Sequence, residues 1–393
     1  MNILYNCSEY PPFRNGGIGS VTKIIAEELV KKGHRVVVVG YYPELSIQES
    51  REVINGVYVF RYNMSPNLSG IRNNIHRLLN KCKLDGYYVQ SQLSWYEQKI
   101  SDLIEKFDIN LVEITDFYTF NTYKCKLHYS KFKVPTVLRA HGSVSFMHYY
   151  SGASYQYSLH NDMLHFSRAD HLFSVSQFSQ SYIDRLMPTV SFKSKTVIYN
   201  PIESQFIKHN TSSDKKIILF IGKLIKTKGA FAVIKAFNRI AEDFPDWELH
   251  MLGTGNQEIA KSFMTNKSMN QIKLFGFCDR KFVAHKIDEC AFACIPSYFE
   301  NFSMVPLEIM ARTRCLIFTE RTSGNEVIIN NEDGYIVNPE DIDSIYLKMI
   351  MLIQNKQLRD SFAQKGFEKV KNNFSADHIC KILVSEYEKI IKN

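Results

Sequence analysis

The sequence predicts an α/β protein built as two doubly wound units. Three observations carry the prediction. A strand, a glycine-containing loop, a helix and a second strand follow one another over Asn2 to Val39, and the same succession returns over Lys216 to Leu252. Val36 to Val39 is an unbroken β-branched run, as in a strand covered on both faces of a parallel sheet. A chain of 393 residues is also too long for one ordinary core.

Taken in order, Asn2 to Cys7 is the first strand. The helix after it shows Ile18, Val21, Ile25 and Leu29 on one face and stops at Gly33. Val53 to Arg61 reads as a hairpin turning at Asn55-Gly56. A helix over Tyr88 to Phe107, a strand over Asn110 to Ile114, a helix over Phe117 to Tyr129 and a strand over Val134 to Ala140 continue the alternation. Phe146 to Tyr157 is expected as a polar-aromatic loop facing an acceptor. A strand at His171 to Val175, a helix at Gln177 to Leu186 and a strand at Lys195 to Tyr199 complete this half.

The polar run after Ile202, up to Ser213, reads as a linker. Beyond it, strands at Lys216 to Ile221, Trp247 to Leu252, Ile272 to Phe275, Cys290 to Ile295, Cys315 to Thr319 and Tyr335 to Val337 alternate with helices, the first over Lys228 to Phe244. Amphipathic helices over Asp341 to Asn372 and Asp377 to Lys392 end the chain. The expected boundaries are 1–199 and 200–375, with 376–393 packing back on the first unit.

Composition bounds the function. Hydrophobic residues at 45% and charged residues at 22% are those of a soluble globular protein. A net charge of +8 suits anionic ligands or the surface of an anionic membrane, but no basic block reads as a nucleic-acid arm. Eight Cys, at 7, 82, 125, 278, 290, 294, 315 and 380, show neither CxxC nor metal-type pairing, which points to a reducing cytoplasm. The N-terminus lacks the layout of a signal peptide, and no apolar run reaches the ~20 residues that span a bilayer. The expected location is cytoplasmic, with room for peripheral contact at the inner face of the membrane.

Two loops carry the chemistry. The first is Pro296 to Glu308, between an apolar strand and a helix-like run to Arg312. Ser303 reads as the helix N-cap with Pro306 in the first turn, so that the N–H groups of Ser303, Met304 and Val305 would face a phosphate or sugar oxygen. Glu300 and Glu308 flank that site, and sugar hydroxyls are the donors that would satisfy them. The second loop, Gly222 to Gly229, sets three lysines and two glycines at a strand end, where lysine can neutralise a departing diphosphate without a metal. The first glycine loop, Gly16-Gly17-Ile18-Gly19, does not match G-x-G-x-x-G, which disfavours a dinucleotide enzyme. His141 lies just past a strand end, where open α/β sheets bind ligands. Asp341-Ile342-Asp343 is read as a helix cap, not a metal site.

These motifs, in this order and spacing, resemble the retaining glycosyltransferases of the GT-B fold, in the large family 4 (group 1) type. The resemblance rests on Gly16-Gly17-x-Gly19, His141-Gly142, Val197 to Pro201, Gly222-Lys223 with Lys228-Gly229, Gly253-Thr254-Gly255, the Glu300 to Glu308 pair, and Gly334. It implies two Rossmann-like domains facing across a cleft, the first binding the acceptor and the second a nucleotide sugar. Lys223 and Lys228 would clamp the donor diphosphate. Glu300 would hold sugar hydroxyls, with Asn301, Phe302, Ser303 and Met304 around sugar and phosphate. Glu308 would bind the ribose, His141 would sit over the donor sugar, and Gly16, Gly17, Gly19 and Gly222 would admit the ligand close to the backbone. The family more often has Arg at position 223, and Gly at positions 301 and 303.

The implied reaction is transfer of a sugar from a UDP- or GDP-sugar, UDP favoured, to a saccharide or lipid-linked saccharide in bacterial surface polysaccharide synthesis. No cofactor and no metal is expected. A non-hydrolysing sugar-nucleotide epimerase of the same fold, or a non-catalytic partner subunit, are the competing readings.

Overall fold

The computed structural model describes residues 1–12, 16–65, 85–123, 125–211, 213 and 215–392. Phe13, Arg14 and Asn15 of the first glycine loop, and Cys82, lie outside them. The chain divides into two compact units, Met1–Pro201 with Ile379–Asn393, and Ile202–His378.

In the first unit the elements are β1 (Asn2–Asn6), α1 (Gly17–Lys31), β2 (Arg35–Tyr41), β3 (Glu49–Ile54), β4 (Val57–Tyr62), α2 (Asp85–Lys106), β5 (Leu111–Thr115), β6 (Thr136–Ala140), α3 (Val144–Ser151), α4 (Gln156–Phe166), β7 (His171–Ser174), α5 (Gln177–Leu186) and β8 (Ser194–Val197). They form a sheet in the order β3-β4-β2-β1-β5-β6-β7-β8. β3 and β4 pair antiparallel through the Asn55-Gly56 turn, whose two residues both have positive φ as a type I′ turn requires. The other neighbours are parallel. Val36 to Val39 are at most 1% exposed, as the β-branched run predicted.

Two expectations for this unit are corrected. Among its described residues, Phe117 to Tyr129 forms no α-helix and holds a 3-10 turn at Thr119–Thr122. Its polar groups are satisfied by tertiary partners instead: Asn121 Nδ2 donates to Asp162, and the carbonyls of Tyr123 and Cys125 accept from Asn161. Conversely, the expected aromatic loop at 146–157 is largely helical, in α3 and the start of α4. Ser143 caps α3 by accepting from Phe146 N, and Gly152, at φ 75°, ends it.

In the second unit the elements are β9 (Ile217–Ile221), α6 (Ala230–Asp243), β10 (Glu248–Leu252), α7 (Gln257–Lys261), β11 (Ile272–Gly276), α8 (Arg280–Glu289), β12 (Phe292–Ile295), α9 (Met304–Met310), β13 (Cys315–Thr319), α10 (Gly324–Val327), β14 (Tyr335–Val337), α11 (Ile342–Gln354) and α12 (Lys356–Asn373). All strand pairs are parallel, in the order β11-β10-β9-β12-β13-β14. Numbered within the unit this is 3-2-1-4-5-6, the order of a dinucleotide-type doubly wound sheet. The core joins β-strand residues such as Ile218, Phe220 and Phe292 to Val233, Phe237 and Ile240 of α6 and Met349 of α11.

Three boundaries differ from expectation here. The helix over 341–372 breaks at Asn355, which takes an extended backbone and caps α12 by accepting from Leu358 N. Lys226–Lys228 form a 3-10 turn, and α6 starts only at Ala230, because Gly229 is left-handed. The stretch after Ile202 is no free linker: Phe206 is buried, Lys208 N donates to Ala311 O, and Asn210 Nδ2 donates to Asp288.

The last helix, α13 (Ala376–Lys392), belongs from Ile379 onward to the first unit. Its Tyr387 is fully buried there, with its hydroxyl on Glu113 and 3.0 Å from the Tyr5 hydroxyl. Among the described residues no helix is long and apolar enough to cross a membrane.

Candidate active site

The strand order of the second unit reverses between β9 and β12. In such sheets ligands bind at the carboxyl ends of the strands where the order reverses. β9 runs there into Gly222–Gly229 and β12 into Pro296–Ser303. The two loops meet through their backbones. Gly229 has φ 75°, and a Cβ at that position would lie 2.1 Å from the carbonyl oxygen of Pro296. Tyr298 N donates to Thr227 O at 2.9 Å. On the other side, Gly222 N donates to Leu252 O, and a Cβ on Gly253 would fall 2.0 Å from Gly222 O.

That approach joins two of the expected site residues. Lys228 Nζ donates to Glu300 Oε1 at 2.7 Å, and Ser297 Oγ donates to the same oxygen at 3.0 Å. Glu300 N in turn donates to Thr322 Oγ1. Lys228 keeps 33% of its side chain exposed and Glu300 11%. Lys226 lies over the Tyr298 ring at 5.7 Å. Lys223 is exposed and makes no ion pair among the described residues. After Glu300 come Asn301, then Phe302, buried against Phe374, then Ser303 and the half-buried Met304. Ser303 occupies the N-cap position of α9 but makes no side-chain cap bond, which corrects the capping role expected of it.

Glu308 takes a different cation. Its Oε1 lies 3.7 Å from Arg280 Nη2, and Arg280 Nη1 donates to Glu203 at 3.2 Å. Burial pushes the Glu308 carboxyl up to about 7, against the pull of Arg280 and with the support of Glu203. Glu308 therefore changes charge near neutral pH. Ser297, Thr322, Arg280 and Glu203 were not singled out from sequence. Ser297 stands inside the loop already chosen, whereas the other three come from distant segments and carry no local signal.

In the first unit His141 directly follows β6. The N–H groups of His141 and Gly142 donate to the two carboxylate oxygens of Asp116, at 2.9 and 2.7 Å. Burial, then the charge of Arg139, holds the His141 imidazole down at about 3, so the ring is neutral near pH 7. At the start of α1, a Cβ on Gly16 would fall 1.9 Å from the Glu9 carboxylate and one on Gly19 1.9 Å from the Glu9 carbonyl oxygen. Glu9 thus fills the room those two glycines make, while Gly17 faces open space. Asp341 accepts from Ser344 N as the cap of α11, and Asp343 pairs with Arg239. Among the described residues no three His, Cys, Asp or Glu side chains gather as a metal site.

The chain is similar to known proteins in sequence and in fold. Residues 15–206 match the family described as Glycosyltransferase Family 4, and residues 201–369 match Glycosyl transferases group 1. The capsular polysaccharide biosynthesis glycosyltransferase CapM of Staphylococcus aureus is 24% identical over 212 residues, 52% of this chain and 53% of that protein. The matches span 53–64% of the length of the first curated relatives. Among solved structures, sucrose-phosphate synthase of Thermosynechococcus elongatus superposes with a TM-score of 0.76 at 16% identity, covering 100% of this chain and 99% of that one. HepE of Anabaena, in complex with UDP and glucose, gives 0.69 at 15% identity, covering 99% of both chains. With the two family matches running in succession from residue 15 to residue 369, the chain belongs to the group 1 glycosyltransferases of the GT-B fold.

Proposed function

We propose that the protein is a retaining glycosyltransferase that moves a sugar from a nucleoside diphosphate donor to a saccharide or lipid-linked saccharide acceptor in bacterial surface polysaccharide synthesis. A UDP-sugar is the favoured donor and a GDP-sugar the alternative. The observation that carries the reading is the Lys228–Glu300 pair at the switch point of the second sheet. An ammonium and a carboxylate held side by side, both partly open to solvent, match a ligand that is itself anionic at one end and rich in hydroxyls at the other. The UDP complex of HepE and the capsule-related CapM support the choice of donor and of acceptor class.

In the proposed reaction the bond between the anomeric carbon and the β-phosphate oxygen breaks. The acceptor oxygen bonds to the same face of that carbon, and its proton passes to the departing diphosphate. Lys228 and Lys223 neutralise the charge growing on the leaving group, so the step needs no metal. Glu300 and the Asn301–Met304 segment hold the sugar, Glu308 holds the ribose, and His141, neutral at working pH, serves as a hydrogen-bond partner, not as an acid. The protein's share is positioning and charge stabilisation.

The test begins with nucleotide sugars screened for thermal stabilisation of the full chain, and continues with acceptors screened against the hit. Proton NMR of the product then reads its anomeric configuration. Inversion would overturn the mechanism. Turnover of the donor to an epimer without acceptor would replace the transferase reading altogether.

A further inference from the structure

We infer that Asp116 is a positioning residue for the transfer reaction, fixing the backbone of His141 and Gly142 and, through it, the aim of the His141 imidazole. The inference rests on the role proposed above for His141. Asp116 is the first residue past β5, and its own N–H donates to Arg139 O at 3.1 Å. The β5–β6 ladder therefore extends one step beyond the strand and sets the carboxylate in register with the turn that leaves β6. At 2% exposure the group has lost its water, and each of its oxygens accepts one N–H of that turn. Gly142 sits at φ 139°, a conformation that side-chain-bearing residues rarely adopt and glycine takes freely, and its N–H is fixed there by the Asp116 carboxylate.

The donors beyond are also used up inside the protein. Ser145 N donates to Asp162 at 2.8 Å and Phe146 N to Ser143 Oγ at 3.3 Å. The turn is thus closed to an anion as far as these N–H groups go.

The experiment uses the full chain. Asp116→Asn keeps the shape, but turns one acceptor into an amide that confronts a backbone N–H. Amide exchange, read by mass spectrometry on the peptide covering 141–146, is expected to quicken by about 10- to 100-fold, the scale of one buried N–H left without its acceptor. Turnover, followed as UDP release from a UDP-sugar, is expected to fall by a similar factor with little change in donor KM. In a His141→Ala background the same substitution should cost nothing further, because the group it acts through is gone. Asp116→Ser, which keeps one acceptor at less bulk, serves if the Asn variant does not fold. Unchanged exchange at 141–146, or a full repeat of the loss in the His141→Ala background, overturns the inference. A fully active His141→Ala enzyme removes the role of His141 and the positioning role with it, while the exchange result still reports separately on the hold over the turn.

Discussion

Lys228 and Glu300 are 72 residues apart in sequence and joined by a 2.7 Å hydrogen bond. The family resemblance implies different parts of a donor for them, the diphosphate for the lysine and the sugar for the acid. Their contact means that each holds the other in place. Because Lys228 is a third exposed, the pair itself is worth little to stability.

Lys228→Ala and Glu300→Ala should therefore leave the melting temperature nearly unchanged, within about 1 kcal/mol of wild type. Turnover should fall at least ~100-fold in each, the scale of losing a preorganised charge at a reacting centre. The double variant should be little worse than either single one, since the two act as a unit. Steady-state rates with purified protein and a melting curve decide the matter. Near-normal rates in either variant would contradict the assignment.

Glu308 carries a pH signature. Its carboxyl is raised from 4.5 to about 7, chiefly by burial. A raised carboxyl binds its proton more tightly in the folded state, so its contribution is intact below about pH 4.5 and is lost as pH climbs to 7. Glu308→Gln should accordingly gain stability at pH 8, by at most roughly 3 kcal/mol, and none at pH 4. If ionised Glu308 accepts ribose hydroxyls, UDP should bind more tightly at pH 8 than at pH 6, and the Gln variant should keep only the smaller rise that comes from the second ionisation of the UDP phosphate, near pH ~6. Titration calorimetry across that range provides the check.

The doubly wound class, and the place of both loops at strand ends, were legible because they are local: an unbroken valine run, glycines after strands, a basic turn before a helix. The errors came where tertiary contacts outvote local pattern. Phe117 to Tyr129 has a helix-like composition, but Asn161 and Asp162 of α4 hold its polar groups in an irregular path. Ser303 does stand at the N-cap of α9, as expected, but without a side-chain cap bond. Asp116 and Arg280 bear on the site through partners 25 and 28 residues away, a relationship no periodicity records.

Gly229 tests whether the two loops must touch. Alanine there would need a left-handed backbone and would drive its Cβ to 2.1 Å from the Pro296 carbonyl oxygen. The conformation alone costs about 1–2 kcal/mol, and the overlap forces the loops apart. Gly229→Ala should lower the melting temperature and also lower turnover, because Lys228 moves with the loop. A variant as stable and active as wild type would show that the 2.9 Å Tyr298–Thr227 bond and the Lys228–Glu300 pair tolerate separation.

The last helix should be worth a measurable share of the first unit's stability through a single hydroxyl. Tyr387 donates to Glu113, which also accepts from Arg139 Nε and Nη2 at 2.6 and 3.0 Å, all at the centre of the sheet. Tyr387→Phe removes one donor and leaves the carboxylate its two guanidinium bonds, a loss of about 1–3 kcal/mol. Glu113→Gln instead strands the Arg139 charge, 1% exposed, and should cost about 3–5 kcal/mol. Urea unfolding followed by far-ultraviolet circular dichroism ranks the two. If Tyr387→Phe unfolds at the wild-type midpoint, the hydroxyl adds nothing and the helix is held by its apolar face alone.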